Sequence, residues 1–317
     1  NCNVIENQDT TNGNTNITLR NFKIDGNDGG NTGTCNGIYF AIVTNSKIEN
    51  VWIYDAEDDG IYLNNNSSYN TISNNIIESN GSYGIYLNNN SSYNTISNNI
   101  IESNGSHGIR LLSSSNYNVF SSNKIINNWF GIYNEGGSNS IFTNNIIKDN
   151  SGYGLFIGQS NNIIIGNEIY NNGGSGNNDG IELGYSSSNN IIANNRIIDT
   201  AGTGYAIDIG SATNNNILSG NYYSGTGASS IRDTSPNTIY SSQLFNNDLI
   251  LKSSGNVGIG ITTPTSTLHI IGSMNVATTS ALIGGESILY VDSADKRVGI
   301  GTTEPDAQFH IDSSDGM

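Results

Sequence analysis

Residues 61–84 read IYLNNNSSYNTISNNIIESNGSYG, and residues 85–108 repeat them with a single change, Tyr83 against His107. A chain that repeats itself at a fixed period folds as one small unit stacked on the next, because no single unit can bury its apolar face alone. Degenerate copies continue at 109–131, 132–154, 155–180, 181–206 and 207–230, and two weaker ones precede the block at about 16–37 and 38–60. The period is 23 to 26 residues, and its variation falls in Gly/Asn/Ser stretches.

Aligned copies expose apolar columns. One is Ile61, Ile85, Ile109, Ile132, Leu155, Ile181, Ile207 and Ile231; a second is Leu63, Leu87, Leu111, Ile157, Leu183 and Ile209, interrupted by Asn134. A third runs Ile72, Ile96, Phe120, Phe142, Ile164, Ile192 and Leu218, and a fourth Ile77, Ile101, Ile125, Ile147, Ile169, Ile197 and Tyr223. Within each copy these residues alternate with period two between turn residues, which predicts three short strands per copy and no helix. Such strands bury their apolar faces by coiling, with equivalent strands stacked about 4.8 Å apart in parallel ladders. The expected fold is therefore all-β, a single-stranded right-handed parallel β-helix of about nine rungs over residues 1–245 with an N-terminal cap. A smaller β-rich region is expected over 246–317.

Asparagines form columns too. Asn75, Asn99, Asn123, Asn145, Asn167, Asn195 and Asn221 share one position, and five residues earlier stand Asn70, Asn94, Asn118, Ser140, Asn162, Asn190 and Asn216. Asn at a bend tolerates left-handed backbone and satisfies turn amides locally, and stacked amides also bond along a ladder. The first two copies have Phe22 and Val51 at the ladder position, so the stack is expected to end there.

These copies, with G-I-x-L and N-x-I-x-x-N-x-I cores, resemble the repeats of the pectate-lyase-like superfamily, nearest the NosD type of carbohydrate-binding and sugar-hydrolysis repeats. The resemblance spans about residues 16–240 and implies the β-helix. It implies little about activity, because that scaffold carries lyases, hydrolases, epimerases, tailspikes and passive adhesins.

The composition changes after Asn246. Asn256-Val257-Gly258-Ile259-Gly260-Ile261-Thr262-Thr263-Pro264 precedes Leu268-His269-Ile270, and Arg297-Val298-Gly299-Ile300-Gly301-Thr302-Thr303-Glu304-Pro305 precedes Phe309-His310-Ile311. The motifs, at 256–270 and 297–311, resemble the NVGIGTTxP repeats of phage tail fibres and bacterial surface proteins, which implies a stalk, often trimeric. The second ends close to Met317, so a longer native protein is expected. Neither G-x-G is followed by a helix or a Lys-Ser/Thr, so neither reads as a phosphate loop. His269 and His310 read as strand-packing residues ahead of a metal pair, since no carboxylate shares their offset.

Net charge limits the partners. The 317 residues carry 27 acidic and 11 basic side chains, a formal charge of −16, which argues against nucleic acid and anionic membranes. No apolar run approaches the roughly 18 residues of a membrane span. The chain begins at Asn1, which suggests a removed leader, and Cys2 and Cys35 pair in a disulfide at the cap or remain two buried thiols.

Candidate chemistry lies on the outward column between the first two apolar ones: Tyr62, Tyr86, Arg110, Tyr133, Phe156, Glu182, Asp208 and Arg232. Glu182 and Asp208 fall on successive turns, so strand spacing puts them about 5 Å apart, near the carboxylate separation of a retaining glycosidase. Asp179 and Asp199 are near in sequence, and Arg232 is one turn further. Surface decoration, catalysis and a Ca²⁺ site are all open for the group. Tyr62, Tyr86, Tyr133 and Phe156, with Arg110 between, suggest an exposed strip on which sugar rings stack; exposed strands favour tyrosine in any case. The run Asp55, Glu57, Asp58 and Asp59 is a solvated turn or a second Ca²⁺ candidate, and no other cofactor is implied.

The leading expectation is an extracellular fibre, filament or adhesin component of a cell surface or virion, because a near-verbatim duplication suggests that shaft length can change without loss of purpose. It would associate with itself, head to tail or as a homotrimer, and recognise extracellular polysaccharide. The alternative is a polysaccharide hydrolase or lyase, tailspike-like, that uses Glu182 and Asp208.

Overall fold

The computed structural model describes residues 3–27, 29, 33–174, 179–198, 204–224, 231–241, 244–245, 257–259, 268–270, 280–283, 289–292, 296–300, 302 and 304–311. Every regular element among them is a β-strand. The chain divides into two compact units, Asn1–Lys252 and Ser253–Met317.

In the first unit the duplicated block lays down Ile61–Asn64, Thr71–Ser73 and Ile76–Glu78, and its copy Ile85–Leu87, Thr95–Ser97 and Ile100–Glu102. Equivalent strands pair in parallel and in register, with Ile85 opposite Ile61 and Ile109, and Leu87 opposite Leu63 and Leu111. The first strand of each turn joins a ten-stranded parallel sheet running from Ile5–Glu6 to Ile231–Asp233, and the other two build an 18-stranded sheet. This is the parallel β-solenoid that the repeat demands.

Like residues therefore lie above like residues. Ile61, Leu63, Ile72 and Ile77 and their counterparts in the next five turns are 0% exposed. Each contributes on the order of 1.5–3 kcal/mol by burial. Phe120 and Phe142, one turn apart, stack at 5.0 Å. Asn134, which interrupts the second column, is buried because its amide closes a local turn, donating to Gly137 O at 2.7 Å and accepting from Gly137 N at 2.6 Å.

The asparagine files hold the corners by bonds between turns. Asn99 Nδ2 donates to Ile72 O of the preceding turn at 2.9 Å and to Asn123 Oδ1 of the next at 3.0 Å. Asn99 Oδ1 accepts the backbone N–H of Asn75 at 2.9 Å and its Nδ2 at 3.0 Å. Each amide thus satisfies the turn above and the turn below, the ladder bonding expected of stacked amides. The left-handed residue of the bend is not the ladder Asn but the one before it: Asn74, Asn98 and Asn144 have φ of 58°, 56° and 55°. Gly166 and Gly220 serve there with φ of 68° and 62°.

A third file escaped the sequence reading. Asn80, Asn104, Asn128, Asn150 and Asn172 are buried and linked amide to amide at 2.8–3.2 Å. Its signal was a further step of five residues, Asn70, Asn75, Asn80, in every copy of the block. The ladder does end where Val51 takes the Asn position, and Asn75 Oδ1 caps the Val51 N–H at 2.9 Å. There Thr18–Asp25 and Lys47–Tyr54 run as unbroken eight-residue strands. At the cap Cys35 is buried and disulfide-bonded; Cys2 lies outside the described residues.

In the second unit both motifs close the same way. Val257–Ile259 pairs in parallel with Leu268–Ile270, and Arg297–Ile300 with Phe309–Ile311. The second pair extends through Leu289–Asp292 and Ser280–Ile283, antiparallel, into a four-stranded sheet. His310 Nδ1 lies 3.2 Å from the Asp306 carboxylate, a partner that the shared offset had not suggested.

Removal of one ladder amide tests this account. Asn99→Ala strands its partners in the interior and is expected to cost about 3 kcal/mol or more, against about 0.5 kcal/mol or less for exposed Glu57→Ala. Urea denaturation of the two variants reads the difference.

Candidate active site on the first sheet

Residues at the middle position of each strand in the ten-stranded sheet point away from the core. Register sets them in one file, Tyr39, Tyr62, Tyr86, Arg110, Tyr133, Phe156, Glu182, Asp208 and Arg232. A second file, unread in the sequence, lies beside it, formed by the residue before the Gly that opens each strand. It holds Asp59, Tyr83, His107, Phe130, Tyr153, Asp179 and, with Ala206 in place of the Gly, Tyr205; its legible signal was a recurring X-Gly-Ile, varied to Gly-Leu at Leu155.

The two files bring three carboxylates together. Asp179, Glu182 and Asp208 each offer an oxygen within 4.8 Å of the other two. Asp208 sits on the turn after Glu182 because Ile181 and Leu183 are locked in register with Ile207 and Ile209. Asp179 and Asp208 are both 2% exposed, and Glu182 is the more open of the three.

Their surroundings divide the roles. Asp208 accepts from Arg232 Nε at 2.8 Å through one oxygen and from the Arg232 Nη2 through the other, so both its oxygens face a guanidinium. Arg232 lies over the Tyr205 ring at 4.9 Å. Asp179 Oδ1 accepts the Tyr205 N–H at 2.6 Å. Glu182 has no such cation. Burial first, then the hydrogen bond to Asp179 and the Asp208 charge, push its pKa up to about 9. Burial also raises Asp179, against the pull of the Tyr205 N–H and of Glu182. Both shifts favour keeping a proton within this crowded group. Asp199, near in sequence, lies outside the described residues.

The donor set bears on the Ca²⁺ alternative. Both Asp208 oxygens and one Asp179 oxygen are engaged, whereas Ca²⁺ takes six to eight oxygen ligands. A shared proton suits these residues better than a cation does. Among the described residues this is the one group of three or more metal-capable side chains, so Asp55, Glu57, Asp58 and Asp59 do not converge into another. Asp59 instead occupies the Asp179 position of its own turn and accepts the Tyr83 N–H at 2.9 Å. Burial, then Asp58, raise its pKa to about 7.

The aromatic strip is present, and its faces are largely taken. Tyr62 stacks on Tyr86 at 4.6 Å and Tyr133 on Phe156 at 4.5 Å, and Phe156 is 6% exposed. Arg110 bridges them, paired with Glu135 at 2.8 Å and bonded to the Tyr83 hydroxyl. His107 is enclosed by Tyr83, Trp129, Phe130 and Tyr133 at 4.8–5.2 Å, and burial holds it neutral with a pKa near 3. Beside the carboxylates, Tyr185 crosses Phe156 edge-on at 5.3 Å and donates to Glu135 at 3.1 Å. What the strip presents outward is ring edges and hydroxyls.

A family model described as a right-handed β-helix region matches residues 1–125 and 113–274. Comparison with curated proteins found no sequence match. Among solved structures, the A-modules of two mannuronan C-5 epimerases of Azotobacter vinelandii are similar. One has 18% identity and a TM-score of 0.60 over 71% of this chain and 74% of its own. The other has 15% identity and a TM-score of 0.61 over 82% and 75%. An alginate lyase of Paenibacillus sp. is similar at 19% identity and a TM-score of 0.58 over 72% and 86%. The Dettilon tailspike protein matches at 18% identity and 0.51, over 67% of this chain and 47% of the tailspike. At these identities the likeness is one of fold.

The raised Glu182 pKa has a thermodynamic consequence. Between the ordinary glutamate value of 4.5 and about 9 the folded state holds a proton that the unfolded chain releases. Stability therefore falls as pH rises through that window, by up to about 1.4 kcal/mol per pH unit for this group. Glu182→Gln, which cannot titrate, is expected to flatten the decline, measured as urea midpoints across the same range. An unchanged slope would contradict the assignment.

Proposed function

We propose an enzymatic role on polysaccharide for this chain, which belongs to the right-handed β-helix family. The observation that carries the reading is the meeting of Asp179, Glu182 and Asp208 on two successive turns, where burial and crowding raise the Glu182 pKa. A protonated carboxyl beside an ionised one, in a half-open position, is the arrangement that cleaves a glycosidic bond. Glu182 donates its proton to the leaving oxygen. Asp208, paired with Arg232, faces the positive charge developing on the sugar, to which water then adds, returning a proton to Glu182. Asp179 orients Glu182 and is itself fixed by the Tyr205 N–H.

The charge pattern favours a neutral glycan. A formal charge of −16 repels a polyanion, and the two arginines of the outward file are already paired with Asp208 and Glu135. The epimerases and the lyase named above are described by their mannuronan or alginate substrates, so the shared coil would here serve a different polymer.

A second reading, an extracellular or virion fibre that associates with itself head to tail or as a trimer, is favoured by the near-verbatim duplication and by the C-terminal motifs. The two are compatible, as a shaft that carries a site. No helix among the described residues is long and apolar enough to cross a membrane.

Reducing-sugar release from neutral and acidic polysaccharides tests the enzymatic reading. Turnover is expected on at least one neutral polymer, with a loss of about 100-fold or more in Glu182→Gln. Wild-type turnover that Glu182→Gln retains would place the chemistry elsewhere, and inactivity across the whole panel would return the chain to the fibre reading.

A further inference from the structure

Three tyrosines stand at one corner of the coil, between the first sheet and the second, away from the carboxylates. Tyr69, Tyr93 and Tyr117 occupy the same place on successive turns and are 57%, 46% and 47% exposed. Their rings lie parallel, 5.0 Å apart at 5° and 4.9 Å apart at 2°. All three have left-handed backbone, with φ of 59°, 60° and 57°. A bulky side chain is disfavoured there, whereas Asn adopts this conformation readily. The next four turns use Asn at the same place: Asn139, Asn161, Asn189 and Asn215, with φ of 55°, 62°, 56° and 53°. The fold is thus built with Asn at this position, and tyrosine adds backbone strain and exposed ring surface.

We propose that Tyr69, Tyr93 and Tyr117 form a binding ridge for a neutral polysaccharide, separate from the carboxylate site. The segments that lead into the ridge, NNNSS at 64–68, NNNSS at 88–92 and LSSSN at 112–116, contain no charged residue. Aromatic rings among amides and hydroxyls, without charge, match a polyhydroxylated and uncharged ligand. The outer face of Tyr69 and that of Tyr117 are not stacked on another tyrosine, since the flanking turns carry Asn45 and Asn139 at this place. The three phenol hydroxyls follow the coil axis at the spacing of the turns, which suits an extended polymer better than a compact sugar. Mutual stacking keeps the rings in position before any ligand arrives, so little side-chain freedom is lost on binding.

Native affinity electrophoresis through gels containing galactomannan, xyloglucan or alginate tests the ridge. Wild type should be retarded by at least one of the two neutral polymers. The triple variant Tyr69→Asn, Tyr93→Asn, Tyr117→Asn should keep its β circular-dichroism spectrum, melt no lower, and bind about fivefold or more weakly. Tyr117→Asn alone should show a smaller loss in the same direction. Tyr222→Asn, at an exposed tyrosine outside both the ridge and the carboxylate site, should be retarded like wild type, which separates the ridge from exposed tyrosine in general. Wild type that passes both neutral gels freely, retardation by alginate alone, or a triple variant retarded like wild type would each overturn the proposal. A triple variant that failed to fold would also overturn it, by showing the tyrosines to be structural.

Discussion

Everything in the first unit depends on the hydrogen bond that an asparagine amide makes to the turn above and the turn below. Main-chain ladders hold the strands, but at the corners the backbone bends and its amides would lie buried without partners. The side chain of Asn supplies both a donor and an acceptor at one position, so a column of identical residues satisfies itself. Three such columns, five residues apart, mark the corners and set the register. A one-residue slip would put every Ile on the surface and every amide in the wrong turn.

That strict register explains the candidate site as well as the core. Stacking identical turns forces each outward residue against its equivalents, whatever their chemistry. For the tyrosines of the outward file the outcome is mutual stacking, favourable but at the expense of the faces that a sugar would use. For Glu182 and Asp208 it is like-charge crowding, relieved by a proton on one and a guanidinium on the other. The site is therefore a place where the stacking rule is least comfortable, and burial with crowding raises Glu182 beside the Arg232-paired Asp208. Asp59 shows the contrast: alone in its file at that end, it is reduced to accepting one backbone N–H.

Much of this was legible before any coordinates. The four aliphatic columns, the Asn75 and Asn70 files, the outward file from Tyr62 to Arg232 and the adjacency of Glu182 to Asp208 all follow from aligning copies, because parallel in-register stacking converts sequence offset directly into spatial neighbourhood. The third asparagine file and the X-Gly-Ile file were equally present in the letters and went unread. Asn80 and Asp179 lie next to turns, where period-two alternation gives no sign of which way a side chain points.

The sequence by itself determined the coil, its period, its core and which residues share a file, since these depend only on repetition and on the two-residue period of a strand. Only the tertiary structure decided what neighbours within and between files do to one another. It put Asp179 across from Glu182, gave both oxygens of Asp208 to Arg232, and turned the tyrosine rings against each other. Those outcomes depend on side-chain direction and on burial at a corner, quantities that arise when one turn is laid on the next.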